Sequence, residues 1–291
     1  MDRIRIATRS SPQARAQSEH VGRLITNVTG AQVDYVTVDT AGDVNQSTPL
    51  HQMGGTGIFV KEVQNAVLEG RADIAIHSAK DLPSEPHPGL FIGAVGERRT
   101  PNDALVGRSL DDLAPGATVA TGSVRRRAQL RRARPDLVFV ELRGNIQTRL
   151  SKVPDAGAIV MAVAALEILG LTDRIAGVLD LDTAVPMVGQ GSVAVECRRD
   201  DNAVLAVLAA IDHAPSRWAV TAERAFLAEL GAGCSVPVAA HLASDGTFRA
   251  FMADDAGIET VQLAGDVGTE GDRTAEGAAM ARECRALLAA R

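Results

Sequence analysis

Short apolar runs recur along this chain, each about one strand long and each ended by a polar turn that opens a helix. Residues 3–8 alternate charged and apolar side chains, and Arg9-Ser10-Ser11-Pro12 follows, with Ser11 placed to cap a helix and Pro12 at its first position. That helix is expected to run to about residue 26. The strand pattern returns at residues 33–38, 74–76 and 90–95. Strands that alternate with helices specify a mostly parallel α/β sheet. Ligands of such sheets bind beyond the carboxyl ends of the strands. The run at 74–76 continues into His77-Ser78-Ala79-Lys80-Asp81-Leu82-Pro83, so Lys80 and Asp81 fall at such an end. A carboxylate there can move a proton or stabilise a cation. It can equally be half of a surface ion pair.

The pattern then repeats. Residues 97–103 read as a crossing into a second lobe. A strand at 118–121 leads through Gly122 into a helix over 124–132, capped by Ser123. Arg125 and Arg126 lie in that helix's first turn, where positive charge opposes the helix dipole. A bound anion would offset this conflict. A strand at 137–142 ends in Arg143-Gly144-Asn145, with Arg149 one turn further on. A buried strand at 158–162 and a short helix at 163–169 complete the lobe. Val185-Pro186-Met187-Val188-Gly189-Gln190-Gly191 returns the chain to the first lobe, for a strand at 192–197 and a helix at 204–211. Two crossings between two lobes make a cleft able to hinge. The expected fold is therefore α/β, with two lobes of doubly wound sheet. Domain 1 is residues 1–96 with 192–209, and domain 2 is residues 101–186. Residues 213–291 form a small α+β domain, with helices at 216–230 and 275–290 and strands at 236–242, 247–252 and 259–263. Residues 40–57 are glycine-rich and unpatterned, as expected of a lid over a site. The helix expected at 58–68 carries Phe59 and Lys61.

Charge sharpens this picture. The chain of 291 residues carries a net −6, yet residues 120–152 hold nine basic residues against Asp136 and Glu141. A basic cluster in an acidic protein points to an anionic ligand. The outer arginines of the helix, Arg127, Arg131, Arg132 and Arg134, read as a solvated face. With pI near 5.6 and 3% aromatic residues, a stacking surface for nucleic acid is not expected. Cys197, Cys234 and Cys284 form no CxxC pair, and the histidines form no HExxH, so no metal site is expected. No run reaches the length of a membrane span and no signal-peptide core is present, so a cytoplasmic protein is expected. Cys234 sits on Gly231-Ala232-Gly233-Cys234-Ser235, and a thiol on a glycine turn is a candidate nucleophile or attachment point.

Eight blocks carry a resemblance. They are Ile6-Ala7-Thr8-Arg9 with Ser11-Pro12, Gly57-Ile58-Phe59-Val60-Lys61-Glu62, and Ala72-Asp73-Ile74-Ala75-Ile76-His77-Ser78 with Lys80-Asp81. Ser123-Val124-Arg125-Arg126 follows, then Leu142-Arg143-Gly144-Asn145 with Thr148-Arg149-Leu150, Val188-Gly189-Gln190-Gly191 and Glu196-Cys197-Arg198. The last runs from Thr221-Ala222-Glu223-Arg224-Ala225 through Gly233-Cys234. In this order they resemble the porphobilinogen deaminase (hydroxymethylbilane synthase) family over nearly the whole chain. The resemblance implies two lobes like those of periplasmic binding proteins and a third domain carrying a dipyrromethane cofactor by a thioether, here to Cys234. It implies stepwise condensation of four porphobilinogen molecules, release of ammonia, and hydrolysis to hydroxymethylbilane in tetrapyrrole biosynthesis. It implies Asp81 as the catalytic carboxylate. Lys80, Thr121, Ser123, Arg125, Arg126 and Arg224 would hold the cofactor, and Arg9, Ser11, Phe59, Ser78, Arg143 and Arg149 the substrate. Arginine forks suit the acetate and propionate arms of porphobilinogen. The expected partner is that small molecule, met by a monomer, with no nucleic acid and no membrane. Two positions depart from the family pattern. Thr56 stands where lysine is frequent, and Ile168 where arginine is frequent. A non-catalytic two-lobed anion-binding protein and a catalytically impaired paralogue therefore stay open as alternatives.

Overall fold

The computed structural model describes residues 1–40, 59–231, 236–268 and 271–291. The expected lid, apart from Thr40, lies outside these residues, as do Thr56 and Cys234.

The first sheet is built from β1 (Arg3–Arg9), β2 (Gln32–Val38), β3 (Ile74–Ser78), β4 (Leu90–Val95) and β10 (Val193–Arg198), in the order β2-β1-β3-β10-β4. The first three are parallel, and β10 pairs antiparallel with both β3 and β4. Side-chain alternation covers both faces. Ile4, Ile6, Ile74 and Ile76 pack under α1 (Pro12–Thr29) and α6 (Asn202–Ala209), while Ala7 and Ala75 pack under α2 (Lys61–Leu68). Ser11 caps α1 by accepting from Ala14 N–H, with Pro12 in the first turn.

The second sheet repeats this design with β5 (Asp103–Gly107), β6 (Thr118–Ala120), β7 (Val138–Val140), β8 (Ala158–Ala162) and β9 (Ile175–Val178), in the order β7-β6-β8-β5-β9. Again three strands are parallel and one inserted strand, β5, is antiparallel to its neighbours. In each lobe the inserted strand is the one that arrives directly from the other lobe, so it enters against the direction of the rest. Four of the five strands in each sheet thus run one way, a mostly parallel sheet with one antiparallel insertion, and β5 and β9 are strands that the sequence patterning did not bring out. The helices α3 (Val124–Ala133), α4 (Ile146–Leu150) and α5 (Val163–Glu167) cover the second lobe.

The remaining sheet, β11 (Val238–Leu242), β12 (Thr247–Ala253) and β13 (Thr260–Asp266), is an antiparallel meander. One face carries α7 (Ala214–Glu229) and α8 (Arg273–Ala289) over Phe226, Phe248 and Met280. The helices touch closely at Gly277, where a Cβ would lie 2.0 Å from the Ala222 carbonyl oxygen. The other face lays Ala239, Phe251 and Ala253 on Ala128 of α3. Arg132 reinforces that contact by donating to the carbonyl of Asp182 (3.1 Å) and to the Gln262 side chain, with Phe251 beneath it. Arg134 pairs with Asp136 and donates to the Leu110 and Leu113 carbonyls. Arg132 is therefore part of the contact with the third sheet, and Arg134 is tied within its own lobe, so neither is simply a solvated side chain. Among the described residues no helix is long and apolar enough to cross a membrane.

Candidate active site

The apolar run 74–76 forms β3 because it is flanked by β1 and β10 and buried on both faces. The strand ends at Ser78 and turns at once into a 3-10 segment, Ala79–Asp81. This turn is held from three sides. Ala79 N–H donates to the Ser192 carbonyl at 2.9 Å. Gly189, at φ 71°, lies so close that a Cβ would meet Ala79 and Lys80 backbone at 3.0–3.2 Å. Arg224 of α7 donates to the Pro83 carbonyl at 2.8 Å. Below the turn His77 Nε2 lies 3.1 Å from the buried Glu196 carboxylate, which also accepts from Gln64 at 2.8 Å. Asp81 thus stands on a turn whose backbone is fixed by lobe one, the return crossing and the third sheet's helix.

Lys80 Nζ donates to Gln190 Oε1 at 3.2 Å. Burial pushes its ammonium down to about 8, with the charges of Arg126 and Arg125 acting in the same direction and Asp81 and Asp103 opposing them. Arg149 reaches in from the second lobe. Burial lowers its guanidinium to about 10, assisted by Arg126 and Arg143 and opposed by the negative charges of Asp81 and Glu141. The field of Asp81 is therefore felt by Arg149, in the last turn of α4, across the cleft. Arg149 Nε donates to the Gly144 carbonyl at 2.8 Å, and Asn145 caps the helix that carries it.

Thr121 and Ser123 shape the start of α3. Thr121 Oγ1 accepts from Ser123 N–H at 3.2 Å, and Ser123 Oγ accepts from Arg126 N–H at 3.4 Å. The dipole conflict posed by Arg125 and Arg126 is met inside the protein. Asp103, at 0% exposure, pairs with Arg125 at 2.9 Å and with Arg126 at 2.7 Å. The remaining terminal nitrogens donate to the Val185 and Val160 carbonyls. Burial alone would raise the Asp103 carboxyl, but the two arginines hold it far below the usual carboxylate range. Asp103 was not singled out in the sequence, and a lone acid at the start of an apolar strand was the signal available. Each arginine retains a buried Nε–H with no partner among the described residues, as does Arg224 Nη1. Such orphan donors suit a carboxylate-bearing group.

The other expected residues divide. The Arg9 guanidinium lies 4.2 Å from the centre of the Phe59 ring, so that face of the ring is covered by Arg9. Phe59 precedes the helix, which begins at Lys61. Ser11 is engaged as the α1 cap, and Ser78 exchanges hydrogen bonds with Gln17 at 3.0 and 3.1 Å. The Arg143 carbonyl accepts from Lys152 at 3.4 Å. Ile168 lies half-buried at the end of α5.

Comparison with known proteins shows the family. A family profile described as "Porphobilinogen deaminase, dipyromethane cofactor binding domain" matches residues 4–206, and one described as "Porphobilinogen deaminase, C-terminal domain" matches residues 218–281. A protein named porphobilinogen deaminase from Thermobifida fusca (strain YX) is 46% identical over 257 residues, covering 86% of this chain and 78% of its own. Among solved structures, the methionine-binding protein MetQ is 15% identical over 72% of this chain and 90% of its own, at TM-score 0.46. A periplasmic substrate-binding protein of an ABC transporter from Coxiella burnetii is 16% identical over 76% and 94%, at TM-score 0.44. With its two family profiles in sequence and a close relative along most of its length, the chain belongs to the porphobilinogen deaminase family.

Proposed function

We propose that the cleft between the two lobes is where this porphobilinogen deaminase condenses four porphobilinogen molecules head to tail, with Asp81 as the catalytic carboxylate. The observation that carries the reading is the placement of Asp81 on a fixed turn, with Lys80 beside it and Arg149 facing it across the cleft. Dipyrromethane, when bound, supplies a pyrrole whose free α-carbon starts the chain. Orphan donors on Arg125, Arg126 and Arg224 fit its carboxylates, and Cys234, outside the described residues, is the proposed thioether carbon's partner.

Each porphobilinogen loses ammonia as its aminomethyl C–N bond breaks, leaving a methylene cation conjugated with the pyrrole nitrogen. Asp81 stabilises that charge by accepting the pyrrole N–H, and takes part in moving the proton that the attacked ring carbon gives up. Such positioned acid–base assistance contributes on the order of 10²–10⁴ in rate. Arg9, Arg143 and Arg149 bind the acetate and propionate arms from the two sides of the cleft, with Ser11, Ser78 and Phe59 on the side of Arg9. Arginine is suited to this because its fork pairs with a carboxylate in two places and stays charged. Domain bounds of 1–96 with 192–209, 101–186 and 213–291 match this division of labour. The same reading makes the protein a cytoplasmic monomer whose partner is porphobilinogen, and not nucleic acid. An active enzyme is preferred over an impaired paralogue because neither Thr56 nor Ile168 replaces Asp81 or Cys234.

The test is the intact mass of purified protein and of Cys234→Ala, before and after incubation with porphobilinogen. Wild type is expected to carry the mass of two condensed pyrroles and to add further single pyrroles, and the variant to stay bare. Covalent pyrroles on Cys234→Ala would overturn the attachment residue. A wild type that stays bare after incubation would overturn the function.

A further inference from the structure

Gln190 lies on the return crossing and is 1% exposed. Its amide is fully engaged between the lobes. Nε2 donates to the Pro101 carbonyl at 2.7 Å and to Asp103 Oδ1 at 2.8 Å, while Oε1 accepts from Lys80 Nζ at 3.2 Å. Its own carbonyl accepts from Arg98 Nε at 2.8 Å, which fixes the backbone from which the side chain projects. These bonds settle the orientation of the amide, because a flipped group would point its NH₂ at an ammonium and its oxygen at a carboxylate. The result is a buried line from Lys80 of the first lobe, through Gln190, to Asp103 and its two arginines in the second.

The electrostatics make this line consequential. Lys80 is surrounded by charges from every side: Asp81 on its own turn, Asp103 on β5, and Arg125 and Arg126 on α3. Removing an ammonium from water disfavours its charged form, and the two arginines add to that. A hydrogen-bond acceptor held on Nζ favours the charged form and fixes where the ammonium points. Gln190 Oε1 places such an acceptor on Nζ.

We infer that Gln190 is a positioning residue that holds Lys80 in its charged form beside Asp81 and registers it against the Asp103 cluster of the opposite lobe. This rests on Asp81 acting as the catalytic carboxylate, since only then does the charge of Lys80 bear on turnover. It assigns the crossing segment Val188-Gly189-Gln190-Gly191 a role beyond packing against the Ala79–Asp81 turn.

The chain contains three lysines, Lys61, Lys80 and Lys152, so protein labelled with ¹³C at lysine Cε gives a spectrum in which Lys80 can be assigned by its loss in Lys80→Arg. The Lys80 titration is then followed in wild type, Gln190→Met and Gln190→Glu. Methionine keeps the side-chain length and removes the acceptor, and glutamate keeps an acceptor toward Lys80 while its second oxygen meets Asp103, so that the two carboxyls share one proton. The midpoint in wild type is expected near 8. It should fall by about one pH unit in Gln190→Met, the size expected for losing a hydrogen bond to a charged group. It should stay near the wild-type value in Gln190→Glu, where a proton shared with Asp103 leaves the net charge around Lys80 unchanged. Turnover of porphobilinogen above pH 8 should follow, dropping about tenfold in Gln190→Met with KM nearly unchanged. A connection with only a structural role would lower the melting temperature of both variants and leave the midpoint where it is. A midpoint that stays fixed in Gln190→Met, or that falls as far in Gln190→Glu as in Gln190→Met, overturns the inference. Midpoints that split as expected while wild type fails to turn over porphobilinogen uphold the positioning and reject the function on which its consequence rests.

Discussion

Asp103 is shared by two buried guanidinium groups and by the Gln190 amide, so its loss strands more charge than the loss of either arginine. Asp103→Asn keeps the shape and one acceptor but leaves Arg125 and Arg126 without a counter-charge. Breaking one side of a buried ion pair typically costs about 3–5 kcal/mol. Urea unfolding of Asp103→Asn should show a loss of that order, and a loss below about 1 kcal/mol would mean that water or a bound anion already shares the neutralisation in wild type. The same residue explains why the arginines at the start of α3 are compatible with a stable helix in the unliganded protein. Their forks are engaged internally, and what they can offer a ligand is Nε–H and field.

The elements divide by how far apart in sequence their causes lie. Ser11 and Ser123 as caps, Pro12 in the first turn and Lys80-Asp81 beyond β3 were all legible, because each depends on neighbours within a few residues. Asp103, Gln190 and the insertion of β5 and β10 were not, since their partners lie 22 to 110 residues away or in the other lobe. Phe59 was placed on a helix because its apolar neighbours fit the period, but Val60 departs from helical φ and the helix starts after it. The element α7 shows how such distant causes act. Its Glu223, fully buried, accepts from Arg98 of the first crossing at 2.6 Å and from Gly189 N–H of the second at 2.7 Å. Burial would raise its carboxyl, but Arg98 and His241 together outweigh this and bring it from 4.5 to about 2. A carboxyl depressed on folding gives stability that is fully present above its ordinary value and is lost as pH falls through its folded one. Wild type should therefore lose melting temperature between about pH 4.5 and 2 more steeply than Glu223→Gln, which lacks that titration. Parallel curves for the two proteins over this window would show that the tie does not hold the crossings.

At the scale of the whole molecule, two lobes of matching topology meet a third sheet that touches both. The third sheet's helix α7 grips the crossings and the Pro83 carbonyl, and the opposite sheet face rests on α3 through Phe251 and Arg132. The Asp81 turn is thus supported by lobe one, the return crossing and α7 of the third domain, so its geometry is a property of the assembled chain. The account stands or falls on what Asp81 does there. The measurement is the rate of hydroxymethylbilane formation from porphobilinogen by wild type and Asp81→Asn, both verified as folded and cofactor-loaded by mass. A fall of roughly 10²–10⁴ in turnover with the melting temperature nearly unchanged is the predicted result. Near-normal turnover in Asp81→Asn would contradict the account and move the chemistry to another group in the cleft.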